Sequence, residues 1–173
     1  MSKIDYKKLI ADVQDFPIPG ILFRDITPLL QDGEAYLNAC KDLAEFAKEA
    51  GAEIIMGPES RGFIFACPIA TMLNLGFVPI RKPGKLPRET VDASYELEYG
   101  HNTISIHKDA IKKGQKVFIV DDLIATGGTL KAAVELVEKL GGEVVGIGAL
   151  IELEALNGRR VLEGYNVKAL LKY

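Results

Sequence analysis

Cysteine is scarce in this chain. There are two in 173 residues, Cys40 and Cys67, both among core-like apolar neighbours. Two do not make a disulfide framework, and both are expected to be reduced and buried, without a redox or metal role. No apolar run approaches the ~18 residues of a membrane span, so no membrane partner is expected. The opening MSKIDYKKLI lacks the apolar stretch and small-residue cleavage site of a signal peptide, so a cytoplasmic location is expected. A basic excess is missing too. Lys and Arg number 21 against 24 Asp and Glu, a formal net charge of −3. That argues against a generic nucleic-acid binder, yet leaves room for a local basic patch that takes an anionic small molecule. Internal repeats, low-complexity stretches and linkers are also absent.

What remains is an average globular composition, 48% apolar and 26% charged, at a length that fits one domain. Residues 3–14 place Ile4, Lys7, Leu9, Ile10 and Val13 near one stripe and predict a short amphipathic helix. Residues 15–28 hold Pro17, Pro19, Gly20 and Pro28 and exclude a single regular element. Helices are predicted over 34–50, 62–75, 129–140 and 152–162, and strands over 53–56, 77–80, 116–120, 144–151 and 167–171. A stretch over 103–107 alternates like an edge strand. Short apolar runs alternating with helices predict an α/β fold, a mostly parallel central sheet flanked by helices. Ligands of such sheets sit beyond the carboxyl ends of the strands. Three segments follow strand ends: 57–62, 81–100 and 121–129.

The most informative stretch is VFIVDDLIATGGT, residues 117–129. An apolar strand ends in Asp121 and Asp122. A small-residue run follows, Ala125, Thr126, Gly127, Gly128 and Thr129, and then a helix begins. Glycines let the backbone approach a ligand, and the exposed N–H groups with the helix N-terminus behind them form an anion site. The P-loop lysine and the G-x-G-x-x-G pattern are both missing, so neither a triphosphate cradle nor a dinucleotide is indicated. Two carboxylates beside a phosphate repel it and need another partner. Ribose hydroxyls satisfy them, and a divalent ion reduces the repulsion. The stretch therefore describes a ribose-5-phosphate site.

Residues 57–62, GPESRG, form a glycine-bounded turn with an arginine, suited to a second anion or simply to solvent. Residues 81–100, RKPGKLPRETVDASYELEYG, place Arg81, Lys82, Lys85 and Arg88 before Glu89, Asp92, Glu96 and Glu98. They read as a long structureless loop with little to pack. A loop of that length is usually functional, and its basic half would close over phosphates and exclude water.

These residues carry a resemblance. Segment 117–129 is similar to the phosphoribosyl pyrophosphate (PRPP) signature of the type I phosphoribosyltransferases. GILFRDITP (20–28), ESRGF (59–63), RKPGKLP (81–87) and ASYELEYG (93–100) resemble the adenine phosphoribosyltransferase branch of that family, and the likeness runs from about Ile18 to the end. It departs at 88–92. The resemblance implies one phosphoribosyltransferase domain over 1–173, with about 1–33 as an N-terminal hood. It implies conversion of adenine and PRPP to AMP and pyrophosphate, with Mg2+. It assigns adenine to Leu22, Phe23 and Arg24, pyrophosphate to Ser60, Arg61, Lys82 and Lys85, and the 5-phosphate to Ala125–Thr129. Asp121 and Asp122 take the ribose hydroxyls, with the metal held indirectly through ligand or water. Glu98 becomes the acid/base for adenine's imidazole proton, and Tyr99 lines the same pocket. On residues alone, Glu98 reads as one more solvated acid, and Arg24 could equally serve the pocket or pair with Asp25. The family's loop peptide at 57–62 is often strained. Its members are homodimers in which a basic residue, here Arg81, reaches the neighbour's site. The alternatives are a transferase for another nucleobase and a non-catalytic PRPP-sensing regulator. The second needs a DNA-binding module for which there is no spare length.

Overall fold

In the computed structural model, which describes residues 4–97 and 100–173, the chain divides into two compact units, Met1–Asp42 and Leu43–Tyr173. In the first, a 3-10 turn at Tyr6–Leu9 leads into β1 (Ala11–Gln14), which pairs antiparallel with β2 (Leu22–Asp25), and α1 (Thr27–Gln31) follows. The helix expected over 3–14 does not form. A helix that short is marginal alone, and the register Asp12↔Arg24, Val13↔Phe23 gives the segment backbone partners instead. The boundary between the units falls inside α2 (Gly33–Glu49).

The second unit continues with β3 (Ile54–Pro58), α3 (Arg61–Leu73), β4 (Gly76–Ile80), β5 (Thr90–Glu96), β6 (His101–His107), β7 (Lys116–Ile124), α4 (Gly128–Lys139), β8 (Glu143–Glu152) and β9 (Val167–Lys172). Five strands form a parallel sheet in the order β4-β3-β7-β8-β9. The expected α/β architecture is therefore present. Strand side chains alternate between faces, so Phe118 and Ile119 point opposite ways. Phe118 meets Phe46 of α2, ring centroids 5.4 Å apart, and Phe63 of α3 meets Phe77 at 5.3 Å. Ile119, Met56 and Ile147 join the other cluster, with Leu130, Val134 and Val137 of α4 and Ala93 and Ile106 of the β5–β6 pair. Both faces are covered, which is why the strands read as nearly continuous apolar runs.

Four expectations are corrected here. The stretch 81–100 is not a structureless loop: β5 pairs antiparallel with β6 from Thr90↔His107 to Glu96↔His101. Val91, Ala93 and Tyr95 pack inward while Asp92, Ser94 and Glu96 are exposed, a period-two pattern masked by the charges around it. The strand expected over 103–107 belongs to this pair, touching the main sheet through the bridge Arg81↔Ser105. β7 runs on to Ile124 and takes Asp121 and Asp122 into the strand, because β8 is long enough to partner it as far as Glu152. The helix expected over 152–162 is two 3-10 turns, Glu154–Leu156 and Gly158–Leu162, broken by Asn157 in the left-handed region (φ 53°). Cys40 is buried, and burial pushes its thiol up to about 12. Cys67 was expected to be buried too, but it is exposed on α3, and burial of part of its surface still pushes its thiol up.

Candidate active site

Because the five strands are parallel, the segments that follow β3, β4 and β7 leave the sheet at one end. The chain steps from β3 outward to β4, then returns to the other side of β3 for β7. That reversal opens a crevice where sheets of this kind bind ligands. A cavity of about 840 Å³ lies there, within the range of small-molecule sites. Glu59, Ser60 and Arg61 line it from β3, Arg81, Lys82 and Pro83 from β4, and Asp121 and Asp122 from β7. Thr129 of α4 and Tyr95, Asn102 and Thr103 of the hairpin complete the wall.

The acid pair lies on the β7 wall. Asp122 is 5% exposed, and the Arg61 guanidinium meets its Oδ2 at 2.9 Å. Its backbone N–H donates to Asp121 Oδ1 at 2.8 Å. Burial, then the adjoining Asp122 charge, pushes the Asp121 carboxyl well above its ordinary 3.8, with Arg61 opposing. The resemblance assigns Arg61 to the pyrophosphate and Asp122 to the ribose hydroxyls; the structure pairs them. Among the described residues no group of three or more His, Cys, Asp or Glu is arranged to hold a metal ion. A donor set of two carboxylates fits magnesium, which accepts one or two carboxylates and completes its shell with water and substrate phosphate.

A smaller hollow of about 70 Å³ is formed by residues 125–129, and Asp121 and Thr129 line both spaces. It is far smaller than the main cavity, a size for a single phosphate group rather than a nucleotide. Gly127 stands at φ 84°, the left-handed region, and a Cβ there would meet the Gly158 carbonyl oxygen at 2.6 Å. Gly158 in turn lies so close that its own Cβ would meet the Ala125 oxygen at 2.4 Å. The loop is thus backed by another backbone. Arg159 fixes that backing, with Nε reaching both oxygens of buried Glu152 at 2.7 and 2.8 Å and Nη1 donating to the Val167 carbonyl at 2.9 Å. Sequence reasoning missed all three residues, since nothing local ties them to a loop thirty positions earlier.

It also missed Glu59. Its Oε1 accepts from the Lys82 backbone N–H at 2.7 Å and from Arg81 Nε at 3.2 Å. The Lys82 amide, with Arg81 behind it, outweighs burial and holds the Glu59 carboxyl below its ordinary 4.5. The peptide joining Glu59 to Ser60 is cis. Lys85 stands outside the cavity lining on an exposed turn, and its carbonyl accepts from Arg81 Nη1 at 3.3 Å.

In the first unit, β2 carries Leu22, Phe23 and Arg24. Leu22 is exposed, and Phe23 meets Phe16 edge-on with centroids 5.1 Å apart. Arg24 pairs with Asp12, its register partner, rather than with Asp25. Neighbours along a strand point apart, and the Asp25 carboxylate accepts instead from the Thr27 N–H and hydroxyl at 2.9 and 2.7 Å. Glu98 and Tyr99 lie outside the described residues.

Residues 29–169 match the family model described as a phosphoribosyl transferase domain. The adenine phosphoribosyltransferase of Lactobacillus gasseri is 61% identical over 170 residues, 98% of this chain and 97% of that protein. The crystal structure of the adenine phosphoribosyltransferase from Thermoanaerobacter pseudethanolicus superposes with a TM-score of 0.94 at 50% identity, covering 98% of each chain. That of Saccharomyces cerevisiae, complexed with adenine and an imino-altritol bisphosphate, gives 0.89 at 42% identity, covering 96% of this chain and 97% of that one.

Proposed function

Because the chain belongs to the phosphoribosyltransferase family, we propose that it converts adenine and PRPP to AMP and pyrophosphate, a purine-salvage step. The observation that carries this reading is one crevice holding an anion loop, an acid pair and basic arms from two strand ends. Pyrophosphate departs from the anomeric carbon as positive charge builds on the ribose, so the site must neutralise the leaving group, hold the sugar and present the base in line. Residues 125–129 hold the 5-phosphate, and Asp121 and Asp122 accept from the ribose hydroxyls. Arg61, Ser60 and Lys82 meet the pyrophosphate, and Lys85 joins them when its loop closes.

Leu22, Phe23 and Arg24 are assigned to adenine on the resemblance of GILFRDITP. Glu98 takes the imidazole proton while the ring nitrogen bonds to the anomeric carbon and the bond to pyrophosphate breaks. Tyr99 lines the same pocket. Their place in ASYELEYG supports both assignments. Magnesium arrives with the diphosphate, and Asp121 and Asp122 are the residues that would hold it; when bound it offsets the leaving group's charge. The reading includes a homodimer in which Arg81 serves the neighbour's site, and a cytoplasmic location. No helix among the described residues is long and apolar enough to cross a membrane.

An assay of PRPP-dependent nucleotide formation across adenine, hypoxanthine, guanine, xanthine and uracil tests the reading. AMP is the expected product. Preference for another base, or PRPP binding without turnover, rejects it. Glu98→Gln keeps the shape and removes proton transfer, so kcat should fall by ~10²–10⁴. Turnover within a few-fold of the parent returns Glu98 to a solvated acid.

A further inference from the structure

Tyr95 joins the β5–β6 hairpin to the phosphate loop. Its oxygen accepts from Thr129 Oγ1 at 2.9 Å and from Asn102 Nδ2 at 3.4 Å. Its ring lies against the first residue of α4, so that a Cβ on Gly128 would come within 2.8 Å of Cδ2. Asn102 is Tyr95's register partner across the hairpin, so the strand ladder fixes their spacing. All three line the main cavity, and Thr129 also lines the small hollow. The hairpin therefore meets the anion loop through the Tyr95 ring, at Gly128, and through its hydroxyl, at Thr129.

A hydroxyl has one proton and two acceptor positions. In the structure Thr129 donates its proton to Tyr95 and has none left for a phosphate. Tyr95 is the acceptor in both contacts, so neither uses its own proton. When an anion enters the hollow the order reverses by rotation alone. Thr129 O–H turns to the anion, Tyr95 O–H turns to donate to Thr129 Oγ1, and Asn102 still donates to Tyr95. No bond to carbon or oxygen breaks. A donor aimed at an anion makes a stronger hydrogen bond than one aimed at a neutral oxygen, and a chain of donors behind it polarises it further.

We propose that Asn102, Tyr95 and Thr129 form a reversible hydrogen-bond relay that turns the Thr129 hydroxyl toward a phosphate in the 125–129 loop, with Tyr95 as its positioning residue. This rests on the transferase reading, which identifies that phosphate as the substrate's 5-phosphate. Phenylalanine at position 95 would keep the ring against Gly128 and lose only the relay.

The test is calorimetric titration of PRPP and of ribose 5-phosphate, both with magnesium, into the parent, Tyr95→Phe, Thr129→Val, Asn102→Ala and the double variant Tyr95→Phe/Thr129→Val. Tyr95→Phe should weaken both phosphosugars about five- to tenfold, with the KM for PRPP rising by more than kcat falls. Thr129→Val should weaken them at least as much, and the double variant no further, because Tyr95 acts through Thr129. Asn102→Ala should weaken them in the same direction by a smaller factor. The Tyr95→Phe melting temperature should match the parent's. Parent-like affinity in Tyr95→Phe overturns the relay alone, and so does an equal loss in both Thr129 backgrounds. A parent that binds neither phosphosugar overturns the transferase reading and the relay with it.

Discussion

Within one cleft, Glu59 and Asp121 are pushed in opposite directions. Glu59 is held low by the Lys82 amide and Arg81. A carboxyl with a depressed folded-state pKa contributes stability above its unfolded value and loses it as pH falls through the folded one. Glu59→Gln should therefore lower the melting temperature slightly at pH 7, by the ~0.2–1 kcal/mol of a partly exposed pair. The difference should shrink as the pH falls from the ordinary carboxylate value near 4.5 through the lowered folded one. A deficit that does not shrink on acidification would show that the Glu59 charge is not what holds the Arg81 and Lys82 turn. Asp121 carries the opposite sign: its raised pKa means that the ionised form destabilises the fold at neutral pH. Asp121→Asn in metal-free buffer should raise the melting temperature, about 2–4 °C for each kcal/mol relieved in a chain of this size. That gain should shrink on acidification from the raised folded value toward 3.8, below which the carboxyl is protonated in both states. The same variant should bind PRPP more weakly, so a site residue is bought at a cost in stability. Calorimetry showing parent affinity would remove Asp121 from the ribose.

Among the elements, the segment 82–89 between β4 and β5 is what remains of the longer loop expected from sequence. Lys82, Gly84 and Lys85 are exposed, and Leu86 is the half-buried apolar anchor. Arg88 pairs with Asp109 at 2.5 Å, but both side chains are more than half exposed, and such pairs hold weakly. Few buried contacts give a low local opening free energy. Trypsin should therefore cut after Lys85 or Arg88, whereas Pro83 shields Lys82. PRPP with magnesium should slow that cleavage markedly by giving the bases phosphate partners, and adenine alone should slow it less. Equal cleavage rates with and without saturating PRPP would end the lid reading. The hairpin behind this segment is a different kind of element: Ala93 and Ile106 are buried, and 90–96 holds no Lys or Arg for trypsin to cut after.

At the scale of the whole molecule, the homodimer rests on the family resemblance alone, because Arg81 is already engaged within its own chain by Glu59. Sedimentation at assay concentration should give twice the mass of 173 residues. An active monomer would confine Arg81 to its own site. Solved relatives at 42–50% identity keep TM-scores of 0.89–0.94, so the backbone that places the crevice tolerates replacement of half its side chains. That is expected where the site depends on strand ends and short loops rather than on one particular core.

The sequence by itself determined the elements whose signals are local: the five apolar strands, α2, α3 and α4, and the place of the acid pair and glycine run at the junction of β7 and α4. Backbone period and small-residue spacing are written within a dozen residues. It misjudged 3–14 and 90–96, where a partner strand overrode local preference, and 152–162, which Asn157 breaks in the left-handed region. Only the tertiary structure decided which loops meet. Parallel pairing of β3, β4 and β7 brings Glu59, Arg81 and Asp121 to one cavity, and Gly158 and Tyr95 reach the phosphate loop from about thirty residues away on either side. Such contacts carry no local pattern, because their distances are set by the sheet and not by the chain between them.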